Sequence, residues 1–577
     1  MSEQPMSIAE HYHERTKYDP ETISAKSQGL DWSTQPSPYK EYKFGTVYDL
    51  KVFLTEPIQS DMDGLLVSRW QRLSRLLLCS YGLTARVPTM MGDPLYLRSA
   101  PSAGGLYPAE IYIISGGTAL LPAGLYNYQP RTHILIQFWS DRHVWQSLQE
   151  ACFSHPALSQ TRIAIATTAV FFRSAWRYQD RAYRRIFLDT GHLLGNIKLA
   201  SALNDFRAYF MGGFEDEALN RLLYLDTTQE GAIAVIPLVD LQDEELSARG
   251  QEARGAKPRQ SIPPEKDEEN APADKTQNDE DTVPLLGSAL TALPSNTKTD
   301  YPYIPDGELL GYFHQATQIV GGQSSSGKSS SVKSQWLTVG DRDAQIESDR
   351  KHDRVTEASS RTDKYNFPFC TKVGMETEPI HWGDELEDLE STILRRRSTR
   401  EYSGTALELA ELKAVLDFTY QPQHYADQGL YDPLENNSTY FDLSLIETFI
   451  AVSSVTGLEE GCYYYAPNSQ ELRQIRFKNF RRELHYLCLG QDLGRTAGAV
   501  LFHTADLKQA VKKYGDRVYR YLHMDAGHLG QRLNLAAIHL GLGVSGIGGF
   551  FDNQVNEVLG IPSDEAVLYI TTLGRPR

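Results

Sequence analysis

In the last third of the chain the apolar residues step by three and four: Tyr519, Leu522, Ala526, Leu529, Leu533, Ala536 and Leu540. That spacing predicts one long helix with an apolar stripe. The residues from Tyr183 onward keep most of the pattern and predict a second such helix. Elsewhere the period shortens. AEIYIIS from Ala109, RIAIATTAV from Arg162, GAIAVIPLV from Gly231, GAVLFHT from Gly498 and AVLYITTLG from Ala566 are short β-rich runs between turn residues. They predict strands of a covered sheet, so the class is α+β.

Two stretches carry neither period. Over residues 242–298 apolar content collapses into runs such as EKDEENAPADKTQNDED, and residues 321–364 are serine-rich and charged. Such composition does not offset the entropy of ordering. The expected organisation is therefore a first domain over residues 1–241, a mostly disordered linker over 242–364 and a second domain over 365–577. Inside the linker, YPYIPDGELLGYFHQATQIV from Tyr301 allows a short helix that could dock on either domain.

The two bodies are copies of one unit. DRAYRRIFLDTGHLLG from Asp180 returns as DRVYRYLHMDAGHLGQ from Asp516, 336 positions on. Gly212, Gly213 and Phe214 match Gly548, Gly549 and Phe550 at the same offset, and EIYII from Glu110 matches ETFIA from Glu447 at 337. A long apolar helix present in both copies gives each a surface for the other, which predicts an intramolecular pseudo-dimer.

Composition narrows the function classes. A chain of 577 residues exceeds one core and suits two domains, and its net charge of -17 argues against nucleic-acid and anionic-membrane partners. The N-terminal residues lack the apolar core of a signal peptide, and no run reaches the roughly 18 apolar residues of a membrane span, so a soluble cytoplasmic protein is expected. Cys79, Cys152, Cys370, Cys462 and Cys488 form no CxxC pair, so neither a zinc site nor a disulfide framework is expected. His192 and His528 recur in DxGH and suggest a shared structural contact; no metal site is expected.

Four elements carry candidate chemistry. LRRRSTREYS sets Arg396, Arg397, Ser398 and Arg400 within five positions, and guanidinium forks match phosphate oxygens. In RSAPSAGGLYP, the small residues Pro101, Ser102, Ala103 and Gly104 allow backbone N–H groups to approach a flat ring or an anion, with the Ser102 hydroxyl as a further donor. After the second helix, GVSGIGGFFD presents Gly546, Ile547, Gly548 and Gly549. The chain ends TTLGRPR, with Arg575 and Arg577 just past a strand. GQSSSGKS at residues 322–329 matches the P-loop pattern but sits in a polar tract without the strand and helix that motif needs.

Together these elements resemble the FMN-binding nitroreductase superfamily, and within it the SagB/ThcOx branch of peptide azoline dehydrogenases. The resemblance covers residues 10–239 and 380–577 and is most specific in YRYLHMDAGHLGQRLNLAAIHLGLGVSGIGGF from Tyr519. It implies two fused nitroreductase-like domains, each a central mixed or antiparallel sheet flanked by helices. It also implies an FMN whose phosphate is held by Arg396, Arg397, Ser398, Arg400, Arg575 and Arg577, while Pro101, Ser102, Ala103 and Gly104 of the other copy face the ring. The site would thus be composite. The first copy has QPSPYKEYKFG where its own arginines would stand and ends in acidic VIPLVDLQDEE, and PSAGG aligns with Ser438, Thr439, Tyr440, Phe441 and Asp442 in the second copy. One FMN per chain is therefore expected.

The SagB-like branch associates a Lys-Tyr pair before the long helix with catalysis. Lys513 and Tyr514 match it, with Arg177 and Tyr178 as first-copy equivalents. The resemblance implies oxidation of an azoline ring in a peptide or of a related small substrate. An NAD(P)H-dependent nitro or quinone reductase and a flavin-losing pseudoenzyme or peptide-binding scaffold are the alternatives.

Overall fold

Alternate residues of the predicted strands enter different cores. Ile111 and Ile113 pack with the long helices, whereas Tyr112 and Ile114 pack with Trp145 and Leu148 of the helix Val144–Ala151. In the second copy Ile450 and Val452 face the long helices, and Phe449 and Ala451 face Leu484 and Leu487. This period of two, apolar on both faces, makes a sheet covered on both sides.

The computed structural model describes residues 5–23, 29–55, 63–88, 94–242, 291–321, 362–431 and 440–577. Each copy contains a seven-stranded sheet. In the first, the order is Thr46–Asp49, Ile134–Trp139, Gly124–Gln129, Ala109–Ser115, Ile163–Val170, Glu230–Asp240 and Phe206–Ala208. The second repeats it with Lys372–Gly374, Glu471–Arg476, Gly461–Ala466, Glu447–Val452, Ala499–Asp506, Glu565–Gly574 and Gly543–Ile547. Every neighbouring pair in both sheets is antiparallel, so of the mixed and antiparallel forms expected the chain adopts the second.

The two long helices run over Ala182–Leu203 and Val518–His539 and are buried on all sides rather than along one stripe. They cross at the glycines of DxGH. A Cβ on Gly191 would lie 2.1 Å from the Met524 carbonyl oxygen, and one on Gly527 would lie 2.2 Å from that of Leu188. Only glycine permits this backbone approach, which explains its presence in both copies. The flanking histidines then diverge. His192 bridges Gln531 and Tyr569, both at 2.9 Å, whereas His528 stacks on Tyr440 at 4.3 Å.

At the start of each long helix two arginines reach across to an aspartate of the opposite copy. Arg181 and Arg184 meet Asp552 at 2.8 and 2.7 Å, and Arg517 and Arg520 meet Asp216 at 2.6 and 2.9 Å. All six groups are buried. These two clusters, absent from the sequence reading, bind the copies into a pseudo-dimer.

Part of the expected linker is packed. Residues 291–321 include the helix Leu309–Ala316, whose Phe313 stacks on Tyr12 at 4.4 Å and abuts both Tyr183 and Tyr519. The short helix therefore docks on the seam between the copies rather than on one of them. Its apolar residues outweigh the polar character of the surrounding tract. Residues 243–290 and 322–361, including the P-loop-like string, lie outside the described residues.

Candidate functional site

The duplication generates two equivalent places where a loop of one copy meets the glycine turn of the other. In each, a buried aspartate of the long helix ties down its own copy's loop. Asp189 accepts from the Ser102 hydroxyl at 2.6 Å and from the Ala103 N–H at 3.1 Å; Asp525 accepts from the N–H groups of Phe441 and Asp442, both at 2.9 Å. Burial pushes both carboxyls up to about 7.

The first site combines the loop at residues 101–105 with the arginines at 396–400. Gly104 and Gly105 hold φ of 66° and 67°, a left-handed conformation that suits glycine, and a Cβ on Gly104 would lie 3.0 Å from the Tyr178 hydroxyl. Arg396 is buried. It donates through Nε to the Ser99 carbonyl at 2.6 Å and through Nη2 to the Arg98 carbonyl at 3.1 Å, and its Nη1 is buried without a partner. Burial lowers its pKa to about 10. The side chains of Ser398 and Arg400 make no hydrogen bond or ion pair among the described residues, and Arg400 is exposed. Opposite stands Arg185, 6% exposed, with its guanidinium 3.9 Å from the centre of the Tyr178 ring. A Cβ on Gly548 would lie 1.9 Å from the Arg185 Nη1, so a side chain there would push the guanidinium aside.

The second site is filled by the chain itself. Where Arg185 stands in the first, Tyr521 donates to the carbonyls of Gly212 at 3.2 Å and Leu293 at 2.9 Å. Phe441 stacks on Tyr521 at 5.1 Å, and Cβ atoms on Gly212 would meet both rings. Leu293, from the packed linker, covers Gly213, and Thr291 receives the Gly212 N–H at 2.8 Å. Ala103 and Gly104 leave space that Phe441 takes.

Several sequence expectations need correction. Lys513 and Tyr514 belong to the filled site, where both are bound to Asp442, at 2.6 and 3.0 Å; Tyr178 is the member of the two pairs that stands in the first. Arg575 forms an ion pair with Glu411 at 2.8 Å and Arg577 an exposed one with Glu401, so both terminal arginines face carboxylates here. Arg397 is spent on Thr84, bonding its hydroxyl at 3.0 Å and its carbonyl at 2.6 Å. The Ser102 hydroxyl donates to Asp189 and accepts from the Tyr107 N–H, so it offers no donor to a ligand. Gly546 and Ile547 lie in a strand paired with Glu565–Gly574, and Gly546 makes room for the Tyr569 hydroxyl; Gly548 and Gly549 are the turn residues that reach the site. Pro101 and Ala103 stand in the same loop. No group of side chains that could hold a metal ion occurs among the described residues, and none of their helices is long and apolar enough to cross a membrane.

The loop ties imply a pH dependence. For Asp189 and Asp525 the folded value of about 7 lies above the ordinary 3.8, so their contribution is present below about pH 4 and is lost as pH rises to about 7. Each is expected to remove on the order of 3 kcal/mol between pH 5 and 8. Buried His133, His192, His503 and His523, whose pKa values burial lowers, act in the opposite sense, so the contribution of Asp189 is read as the difference in melting midpoint between the unmodified chain and Asp189→Asn, which should shift in favour of Asn as pH rises from 5 to 8.

Comparison with known proteins places this geometry among relatives. The nitroreductase family model matches residues 72–238 and 393–575, one match in each copy and together more than half of the chain. A crystal structure of a candidate nitroreductase from Anabaena variabilis is 59% identical, covering 99% of this chain and 100% of that one with a TM-score of 0.82. A candidate nitroreductase of Methanocaldococcus jannaschii is 34% identical over 187 residues, which is 32% of this chain and 90% of that protein. The microcin B17-processing protein McbC of Escherichia coli is 24% identical over 153 residues, 26% of this chain and 56% of its own length.

Proposed function

The chain belongs to the nitroreductase family, and on that premise we propose that it is an FMN-dependent oxidoreductase with one composite flavin site per chain. The observation that carries this reading is the contrast between the two related sites. One is filled by Phe441, Tyr521 and Leu293 with their polar groups satisfied. The other is lined by alanine and glycine and retains an orphaned guanidinium nitrogen on Arg396 together with a free Arg400. This donor set fits a phosphate ester and a flat ring. FMN, when bound, supplies a centre that takes up and gives out hydride.

In this reading Arg396 Nη1, Ser398 and Arg400 would hold the phosphate, and the turn at Gly548 and Gly549 would line the ring's side of the site. Arg397 clamps the copies together through Thr84. Fusion keeps the complementary halves together at high effective concentration. The Tyr178 hydroxyl stands beside Gly104 and can donate a hydrogen bond or a proton to a substrate that receives hydride. That favours reduction of a small acceptor with NAD(P)H as the electron source.

A second reading, azoline oxidation in a peptide, is favoured by the likeness to McbC. It requires a base. The lysine of the Lys-Tyr pair is held by Asp442 at the filled site, and Arg177 occupies the equivalent place at the first. The readings separate when FMN-loaded protein is mixed anaerobically with NADPH, NADH or a thiazoline peptide. Reduction predicts loss of the flavin's visible absorbance with a nicotinamide and recovery on adding a nitro or quinone acceptor. Loss with the thiazoline peptide alone would support the second reading, and failure to take up FMN would overturn the proposal.

A further inference from the structure

Arg185 is a buried cation without a counterpart in the other copy. The offset that relates the copies pairs Arg177 with Lys513 and Arg185 with Tyr521. At the filled site Lys513 is neutralised by Asp442 and Tyr521 is an uncharged, hydrogen-bonded ring. At the first site both equivalents are guanidiniums. Arg185 and Arg177 flank one ring, their charges 3.9 and 5.8 Å from the Tyr178 centroid, and neither forms a hydrogen bond or ion pair among the described residues.

The carboxyl of Asp189 lies one turn along the helix from Arg185 and interacts with its charge. Both of its oxygens are engaged by Ser102 and Ala103, and burial pushes it toward the neutral form, so it is a weak counter-ion. The cation–π contact with Tyr178 orients the Arg185 guanidinium without neutralising it. A guanidinium that is 6% exposed, with its Nε buried and unpartnered, is costly unless an anion meets it.

Resting on the reading that this site holds flavin, we propose that Arg185, with Arg177 at the rim, selects a carboxylate-bearing substrate. A carboxylate matches the guanidinium fork with two parallel hydrogen bonds, and a planar substrate can lie against the Tyr178 and Arg185 stack. The residues are unique to the first copy, which is where a substrate-selecting function would be retained once the second site had been filled. Gly548 belongs to the same arrangement, because any side chain there would displace the Arg185 guanidinium.

The test is calorimetric titration of oxidised full-length protein with 4-nitrobenzoate and with the neutral 4-nitrobenzamide, with and without bound FMN. Arg185→Gln, Arg185→Lys and Arg177→Gln are compared with the unmodified chain. The expected result is a preference of about tenfold or more for the acid, abolished in Arg185→Gln, kept in part by Arg185→Lys and reduced in Arg177→Gln, with FMN affinity unchanged. Equal binding of acid and amide to the unmodified protein, or an undiminished preference in Arg185→Gln, overturns it. Loss of FMN affinity in Arg185→Gln, with the acid preference intact in Arg177→Gln, also overturns it and assigns Arg185 to the cofactor. If Arg185→Gln does not fold, Arg177→Gln, at an exposed position, decides. A protein that binds no FMN yet prefers the acid keeps the anion site and removes the flavin reading.

Discussion

Asp552→Ala is expected to destabilise the protein by about 3 to 5 kcal/mol. Its carboxylate meets Arg181 and Arg184 at 2.8 and 2.7 Å and accepts the Tyr18 N–H at 3.0 Å, and all three side chains of the ion pairs are at most 3% exposed. Burial alone would raise the carboxyl, but the two arginines hold it below its ordinary value. Removing it leaves two guanidiniums in the seam without an anion, and the seam is what joins the copies. Asp216→Ala removes the equivalent contact with Arg517 and Arg520 and should cost a similar amount. Glu217→Ala is the control, since its ion pair with Arg221 is 67% and 66% exposed and should contribute less than about 0.5 kcal/mol. Thermal and urea unfolding followed by near-ultraviolet circular dichroism measures all three; a small effect at Asp552 would mean that this ion-pair cluster does not hold the seam.

Arg400→Ala is expected to weaken FMN binding about 10- to 100-fold, and the double variant with Arg396→Ala by about 100-fold or more, as hydrogen bonds to a charged phosphate contribute roughly 1.5 to 3 kcal/mol each. Riboflavin affinity should change little, because it lacks the phosphate these side chains hold. The two positions differ in their effect on folding. Arg400 is exposed and makes no hydrogen bond or ion pair among the described residues. Arg396 also bonds the carbonyls of Ser99 and Arg98, so its replacement should loosen the seam as well. Quenching of FMN fluorescence gives the affinities, and a parallel melt separates loss of grip from loss of fold.

The architecture was legible because it rests on periodicity. Steps of three and four from Tyr183 and Tyr519 mark the crossing helices, and the constant offset between the copies is a property of the sequence alone. The packed stretch at 291–321 was hidden by averaging: a few apolar residues such as Leu293, Leu309 and Phe313 anchor it, while the surrounding composition reads as solvated. Which Lys-Tyr or Arg-Tyr pair faces the first site depended on how the copies interlock, and the residues alone do not encode that in a local pattern. Arg575 and Arg577 carried the right chemistry, but their partners Glu411 and Glu401 lie more than 160 positions away in sequence.

Signals for the missed residues were present in the same self-comparison. Asp216 and Asp552 stand at the constant offset, as do their arginines, which marks a contact required in both copies. Arg185 stands against Tyr521, a break in the repeat. Positions where the copies agree proved to build the seam, and positions where they disagree separate the two sites.

In the proposed reading one chain carries one flavin. Saturating the purified protein with FMN, removing the excess and counting the flavin released by acid against protein concentration tests it directly. One equivalent per chain is expected, reduced to near zero by the Arg396→Ala/Arg400→Ala double variant. Two equivalents would contradict it, because the site closed by Phe441, Tyr521 and Leu293 would then have to open and bind.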